Sequence, residues 1–164
     1  MTARLSDQPW LTASSTRAVM AALEAAGGPG CARFVGGCVR NALIGQPVAD
    51  IDIATTLKPE ETERAIRAAG LKAVPTGITH GTVTAVAERK PFEITTLRRD
   101  VSTDGRNATV AFTDDWAEDA ARRDFRLNAL YADAERYIWG ATAGMLRVLY
   151  GRLHPDAARE GDAA

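Results

Sequence analysis

Cysteine and histidine are scarce in this chain, with two of each in 164 residues. Cys31 and Cys38 flank an apolar, glycine-rich stretch without CxxC spacing, which excludes a disulfide framework. His80 and His154 are too distant in sequence to complete a zinc site with them, so two buried free thiols in a reducing cytosol are expected. Charge of one sign is missing as well: 20 Lys+Arg stand against 21 Asp+Glu, for a net −1. That excludes a strongly basic nucleic-acid binder working by phosphate neutralisation alone, though not RNA contact through one local patch. No apolar run approaches the about 18 residues of a membrane span. Asp7 and Pro9 fall where a signal peptide needs its apolar stretch. The expectation is a cytoplasmic domain with no membrane partner.

The rest of the composition, 46% apolar and 25% charged, is that of an ordinary globular domain. A chain of this length buries a sizeable core without staples. There is no internal repeat; Ala25-Ala26-Gly27 and Ala68-Ala69-Gly70 are similar helix stops.

After an irregular lead over 1–13, Ser14-Ser15 precede Val19, Met20 and Leu23 at helical spacing. Gly27-Gly28 close that helix. Ala32 to Val35 reads as a buried strand, Cys38 to Ile44 as a helix, and Val48 to Ala54 as an alternating strand. Pro59-Glu60-Glu61 open a helix that stops at Gly70. Leu71–Val74, Gly81–Ala87 and Phe92–Leu97 read as strands, with Glu88-Arg89-Lys90-Pro91 a compact turn. Arg98 to Asn107 is polar and aperiodic, hence an exposed loop. Asp114-Asp115 start a helix through Ala121; Phe125, Leu127 and Leu130 are expected to be buried. Tyr131 is expected to pair with Tyr137–Trp139 as a hairpin, and the end beyond Gly151 to fray. The order gives an α/β or α+β domain with a mixed sheet flanked by helices, over 14–150, followed by a tail at 151–164.

Asp50 and Asp52 carry the sharpest chemical signal. On a strand, positions i and i+2 share a face, about 6.5–7 Å apart along the chain. Two carboxylates so placed repel each other unless a cation is held between them. Mg²⁺ fits, because it takes oxygen ligands and bridges carboxylates to substrate phosphates. The plain alternative is a strand with a solvated acidic face. Upstream, Gly36-Gly37 separate a buried strand from a helix N-terminus, where exposed N–H groups and close backbone approach suit a phosphate, and Arg40 projects one turn later. The pattern is neither Walker A nor a Rossmann fingerprint, and a tight strand-to-helix turn would also explain it. Glu93, between Phe92 and Ile94, offers a third acid.

These residues together resemble the head domain of polymerase-β-like nucleotidyltransferases, more closely the bacterial class II tRNA nucleotidyltransferase (CCA-adding enzyme) and poly(A) polymerase family. The matching stretches are Val35-Gly36-Gly37-Cys38-Val39-Arg40-Asn41-Ala42-Leu43, Ala49-Asp50-Ile51-Asp52-Ile53-Ala54-Thr55 and His80-Gly81-Thr82-Val83. Phe92-Glu93-Ile94-Thr95-Thr96-Leu97-Arg98 and the run Ala121-Arg122-Arg123-Asp124-Phe125 to Leu130 complete the set. The resemblance implies a polymerase-β-like fold and Mg²⁺-dependent transfer of CMP or AMP from CTP or ATP to a tRNA 3′ end. It implies that Gly36, Gly37 and Arg40 hold the triphosphate, that Asp50 and Asp52 ligate the metal with Glu93 as third acid, and that Arg122, Arg123 and Asp124 recognise the incoming ribonucleotide. It also implies a flexible loop over Val101 to Asn107. A surface charge cluster beside the acidic Asp114–Asp119 segment is the alternative for Arg122 to Asp124. Arg98-Arg99-Asp100 repeats the letters of that motif without its context.

The chain departs from the family pattern in places. Asn41 stands where aspartate is common, Arg126 replaces a usual threonine, and Gly140 to Gly144 only partly follow the family turn. Family members continue into helical neck, body and tail domains, and the neck selects the base. Here Asp156 to Asp162 only faintly echo the neck motif. The expectation is therefore a catalytic head, with a head that binds nucleotide and metal but needs a helical partner chain, or a poly(A) polymerase head, as alternatives.

Overall fold

The computed structural model describes residues 8–77, 81–103, 108–123, 131–132 and 138–139. Asp124, Phe125, Leu127, Leu130, His80, Tyr137 and the 151–164 tail lie outside the described residues. Elements run in the order α1 (Pro9–Thr12), α2 (Ser14–Gly27), β1 (Ala32–Val35), α3 (Gly37–Leu43), β2 (Ile51–Thr55), α4 (Pro59–Ala68), β3 (Lys72–Gly77) and β4 (Thr82–Ala87). They continue with β5 (Lys90–Thr96), β6 (Arg98–Thr103), β7 (Ala108–Phe112), α5 (Trp116–Arg122), β8 (Tyr131–Ala132) and β9 (Ile138–Trp139).

Seven strands form one mixed sheet in the order β3-β4-β5-β2-β1-β8-β9, with β6 and β7 forming a separate two-stranded ribbon. Among the described residues only β2 and β5 pair in parallel, which the α4-β3-β4 excursion between them makes possible. Period-two alternation sorts the sheet into two faces. Phe34, Ile53, Val83, Ala85, Phe92 and Ile94 face α2 and α4 and pack against Val19, Leu23 and Ile66. Val35, Ala54 and Leu97 face the other way under Trp116 and Ala120 of α5. Arg33 holds α5 at its start, with its guanidinium 4.2 Å from the Trp116 ring centre. Asp115 caps α5, its carboxylate accepting from the N–H groups of Ala117 (2.7 Å) and Glu118 (3.4 Å).

The mixed sheet and the β8–β9 hairpin follow the sequence reading, and five local expectations need correction. Residues 9–12 of the irregular lead form a helical turn. Ala13, in extended geometry, then occupies the N-cap of α2, so Ser14 is its first residue and no serine caps it. The Ser14 hydroxyl instead donates to Glu88 (2.7 Å). The turn between β4 and β5 is only Glu88-Arg89, both at positive φ (50° and 64°). Lys90 and Pro91 already belong to β5, and Pro91 is tolerated because β2 pairing starts one residue later, at Phe92. The polar stretch from Arg98 is not a loop as far as Thr103: it is β6, paired with β7. A two-stranded ribbon pairs through its backbone whatever the polarity of its side chains, so a polar, aperiodic stretch can form it without a strand signature. The fifth correction, at Asp50, belongs to the site.

Both thiols are buried and donate to carbonyls: Cys31 to Leu23 (3.3 Å) and Cys38 to Val35 (3.2 Å). Burial raises both, Cys38 to about 11. Neither thiol is therefore expected to react with an aromatic disulfide reagent in the folded protein at neutral pH, and both are expected to react once urea unfolds it. A fast-reacting thiol in native buffer would contradict this.

Candidate active site

The site is built at one end of the central strands. Register sets Val35 of β1 opposite Asp52 of β2, and Asp52 opposite Glu93 of β5. Burial of Ile53 on one strand and of Phe92 and Ile94 on the other forces Asp52 and Glu93 onto the opposite face together. Asp50 is displaced from the reading above. The strand begins at Ile51, and Asp50 lies exposed just before it. The cause is upstream: β1 leaves the ladder at Gly36, so no antiparallel neighbour remains beyond Asp52.

Asp52 still feels the charge of both other acids. Asp52 is half-buried, and its carboxyl is raised above the usual aspartate range, first by burial and then by the charges of Glu93 and Asp50. Arg123 opposes that rise. The donor set is carboxylate oxygen throughout, which suits a hard divalent cation. Among the described residues no three of His, Cys, Asp and Glu stand close enough to hold an ion unaided.

Gly36 directly follows β1 and caps α3, at φ 76° and ψ −131°. This backbone region is essentially closed to residues with a Cβ. Gly36→Ala is expected to lower unfolding free energy by about 1–3 kcal/mol in urea titrations, and an unchanged midpoint would show the turn adapting without strain. Arg40 folds back over the same turn: a Cβ at Gly37 would lie 3.7 Å from its Nη2. Its Nε and Nη2 donate to Asn41 Oδ1 at 3.2 and 3.1 Å, while Asn41 Nδ2 donates to the Pro47 carbonyl (3.2 Å). The asparagine thus orients the guanidinium through a neutral oxygen.

Arg122 ends α5 and Arg123 is its C-cap. Arg123 Nε pairs with Asp119 Oδ2 at 2.7 Å, and Asp119 Oδ1 accepts the Arg98 N–H at 3.0 Å. Asp119 has 0% exposure, so it is no part of a solvated acidic surface. The sequence reading passed over it as one acid in a run. The i,i+4 spacing to Arg123, with alanine at 117, 120 and 121, was the available signal. Asp52 lies within electrostatic range of Asp50, Glu93 and Arg123, with Gly36, Gly37 and Arg40 at the adjoining strand end.

The mixed sheet, the acids aligned on two of its strands and the Gly-Gly strand-to-helix turn are the features by which the chain resembles nucleotidyltransferase heads. The chain belongs to the poly A polymerase head domain family, whose model matches residues 32–151. It is 47% identical over 100 residues to the human mitochondrial CCA tRNA nucleotidyltransferase 1, covering 60% of this chain and 23% of that protein. It is 37% identical over 140 residues to a CCA-adding enzyme of Lactobacillus delbrueckii, covering 78% and 34%. Among solved structures it resembles the Bacillus stearothermophilus CCA-adding enzyme in complex with CTP, with TM-score 0.67, 32% identity, and coverage of 84% of this chain and 32% of that one. A tRNA nucleotidyltransferase complexed with a primer tRNA and an incoming ATP analogue matches at TM-score 0.52 and 26% identity, over 72% and 33%. The chain spans 23% to 34% of the length of these curated relatives. Among the described residues no helix is long and apolar enough to cross a membrane.

Proposed function

We propose that residues 14–150 form the catalytic head of a tRNA nucleotidyltransferase, adding CMP or AMP from CTP or ATP to a tRNA 3′ end. The observation that carries this reading is the Asp52–Glu93 alignment beside Gly36. Asp50 and Asp52 would hold the metal, with Glu93 as third acid. Bound there, Mg²⁺ would neutralise triphosphate charge and ease deprotonation of the attacking hydroxyl. Gly36 and Gly37 admit the triphosphate close to the backbone, and Arg40 supplies positive charge at the same turn. Arg122, Arg123 and Asp124 orient the incoming nucleotide. The RNA 3′-oxygen bonds to the α-phosphorus as the bond to the α–β bridging oxygen breaks, releasing pyrophosphate and one proton. Positioning and charge neutralisation supply the rate, with no covalent enzyme intermediate. Two buried free thiols suit a reducing compartment such as the cytoplasm.

The test is incubation of the purified chain with tRNA lacking its 3′ CCA, Mg²⁺ and labelled CTP or ATP. Incorporation is the expected result. The partial span of the relatives favours a second reading, in which the head needs a helical partner region to select the base and grip the tRNA. Thermal stabilisation by Mg-CTP without incorporation would establish that reading. No stabilisation and no incorporation would reject both.

A further inference from the structure

Asp119 is a fully buried carboxylate outside the acid row of the site, and a buried charge persists only with dedicated partners. Its two oxygens serve different elements. Oδ1 takes the Arg98 N–H, where β5 gives way to the β6–β7 ribbon, and Oδ2 takes Arg123 Nε. Next to it, Val35, Ala54 and Leu97 hold α5 to the sheet by apolar packing with Trp116 and Ala120. Adhesion of the helix therefore has its own source, and the ion pair needs another explanation. Arg123 sits where the chain leaves α5 in extended geometry (φ −72°, ψ 129°), a position at which a long side chain would otherwise sample many rotamers. A carboxylate one turn earlier fixes the plane of its guanidinium. The same guanidinium offsets the repulsion that Glu93 and Asp50 impose on Asp52.

We propose that Asp119 is a positioning residue: it sets the orientation of Arg123 toward the Asp52–Glu93 row and ties that orientation to the base of the β6–β7 ribbon at Arg98. This inference rests on the nucleotidyltransferase reading, since Arg123 is the group through which Asp119 acts on the incoming nucleotide. A purely structural Asp119 would matter for stability alone.

The test uses the whole chain, with Mg-ATP as the probe. Asp119→Asn is expected to weaken Mg-ATP binding about tenfold or more, and Arg123→Ala by a similar factor. The double variant is expected to be no weaker than the worse single one, because both remove one device. In arginine-selective NMR of the wild type, Arg123 Nε–H is expected to exchange slowly with solvent, and Asp119→Asn to release it. If Asp119→Asn does not fold, Arg123→Lys, which keeps the charge but loses the planar fork, is expected to show the same loss of affinity. Affinity within about twofold of wild type in the folded variants, additive losses in the double variant, or a rapidly exchanging Arg123 Nε–H in the wild type would each overturn the proposal. A wild-type chain without Mg-ATP affinity would instead reject the nucleotidyltransferase reading, and this role with it.

Discussion

Asp52→Asn is expected to cut nucleotide incorporation by about 10³-fold or more while leaving the chain folded. Asp52 is the acid with both neighbours: Glu93 across the parallel pairing and Asp50 two residues earlier. Loss of its charge removes the centre of the donor set, whereas loss of Glu93 or Asp50 leaves two acids. The same substitution is expected to raise the thermal midpoint in metal-free buffer. The sign follows from the direction of the Asp52 shift: burial and like charges disfavour its ionised form in the fold, so a neutral side chain relieves a cost present at neutral pH. Incorporation assays and melting curves with and without Mg²⁺ check both halves. An Asp52→Asn chain that retains incorporation, or that melts lower than wild type without metal, would contradict the site described here.

Phe34→Ala carries the largest expected cost in stability, about 3–5 kcal/mol. Phe34 is fully buried at the middle of β1, in register with Ile53 on one side and Ala132 on the other. Its ring meets Trp10 edge-on at 5.0 Å between centroids and an interplanar angle of 89°. Trp10 is itself packed against the core from the small α1 turn, so relaxation is expected to refill little of the space. Against a usual total of about 5–15 kcal/mol, this loss brings the fold close to its midpoint. Urea unfolding should show a lower midpoint at unchanged slope. Arg33→Ala, next to it but on the opposite face, removes the contact with Trp116 and is expected to cost about 0.5–1 kcal/mol.

How far the sequence revealed this fold depended on whether an element buries a face. The alternation of Ile51 and Ile53 with Asp52, and of Phe92 and Ile94 with Glu93, exposes both the strands and their outward acids before any pairing is known. Helices α2 and α4 are equally legible, because each lays an apolar stripe on the core and stops at glycine. The β6–β7 ribbon was opaque for the opposite reason. Arg98 to Thr103 pairs through its backbone with β7, and its polar, aperiodic run of residues records nothing of the ladder. Within the site, the acids and the Gly-Gly turn could be read from local pattern and family resemblance. What escaped was Asp119, whose role arises from Arg98 and Arg123, 21 residues before it and 4 after. The i,i+4 spacing to Arg123 hints at the pair, but the burial of Asp119 and its bond to Arg98 arise from tertiary packing.

The parallel pairing of β2 with β5 also limits how the site can vary. A slip of one residue would turn Phe92 and Ile94 toward solvent and Glu93 into the core. No intermediate register exists, so the alignment of Asp52 with Glu93 is discrete: it is held in full or lost in full. Substitutions in the apolar layer behind these strands can therefore weaken the fold by degrees, while the spacing of the acids in every folded molecule stays the same. Graded changes in activity are expected instead from Arg40 and Arg123, which address the acids from outside the sheet and are oriented by side-chain partners such as Asn41 and Asp119 rather than by a strand ladder.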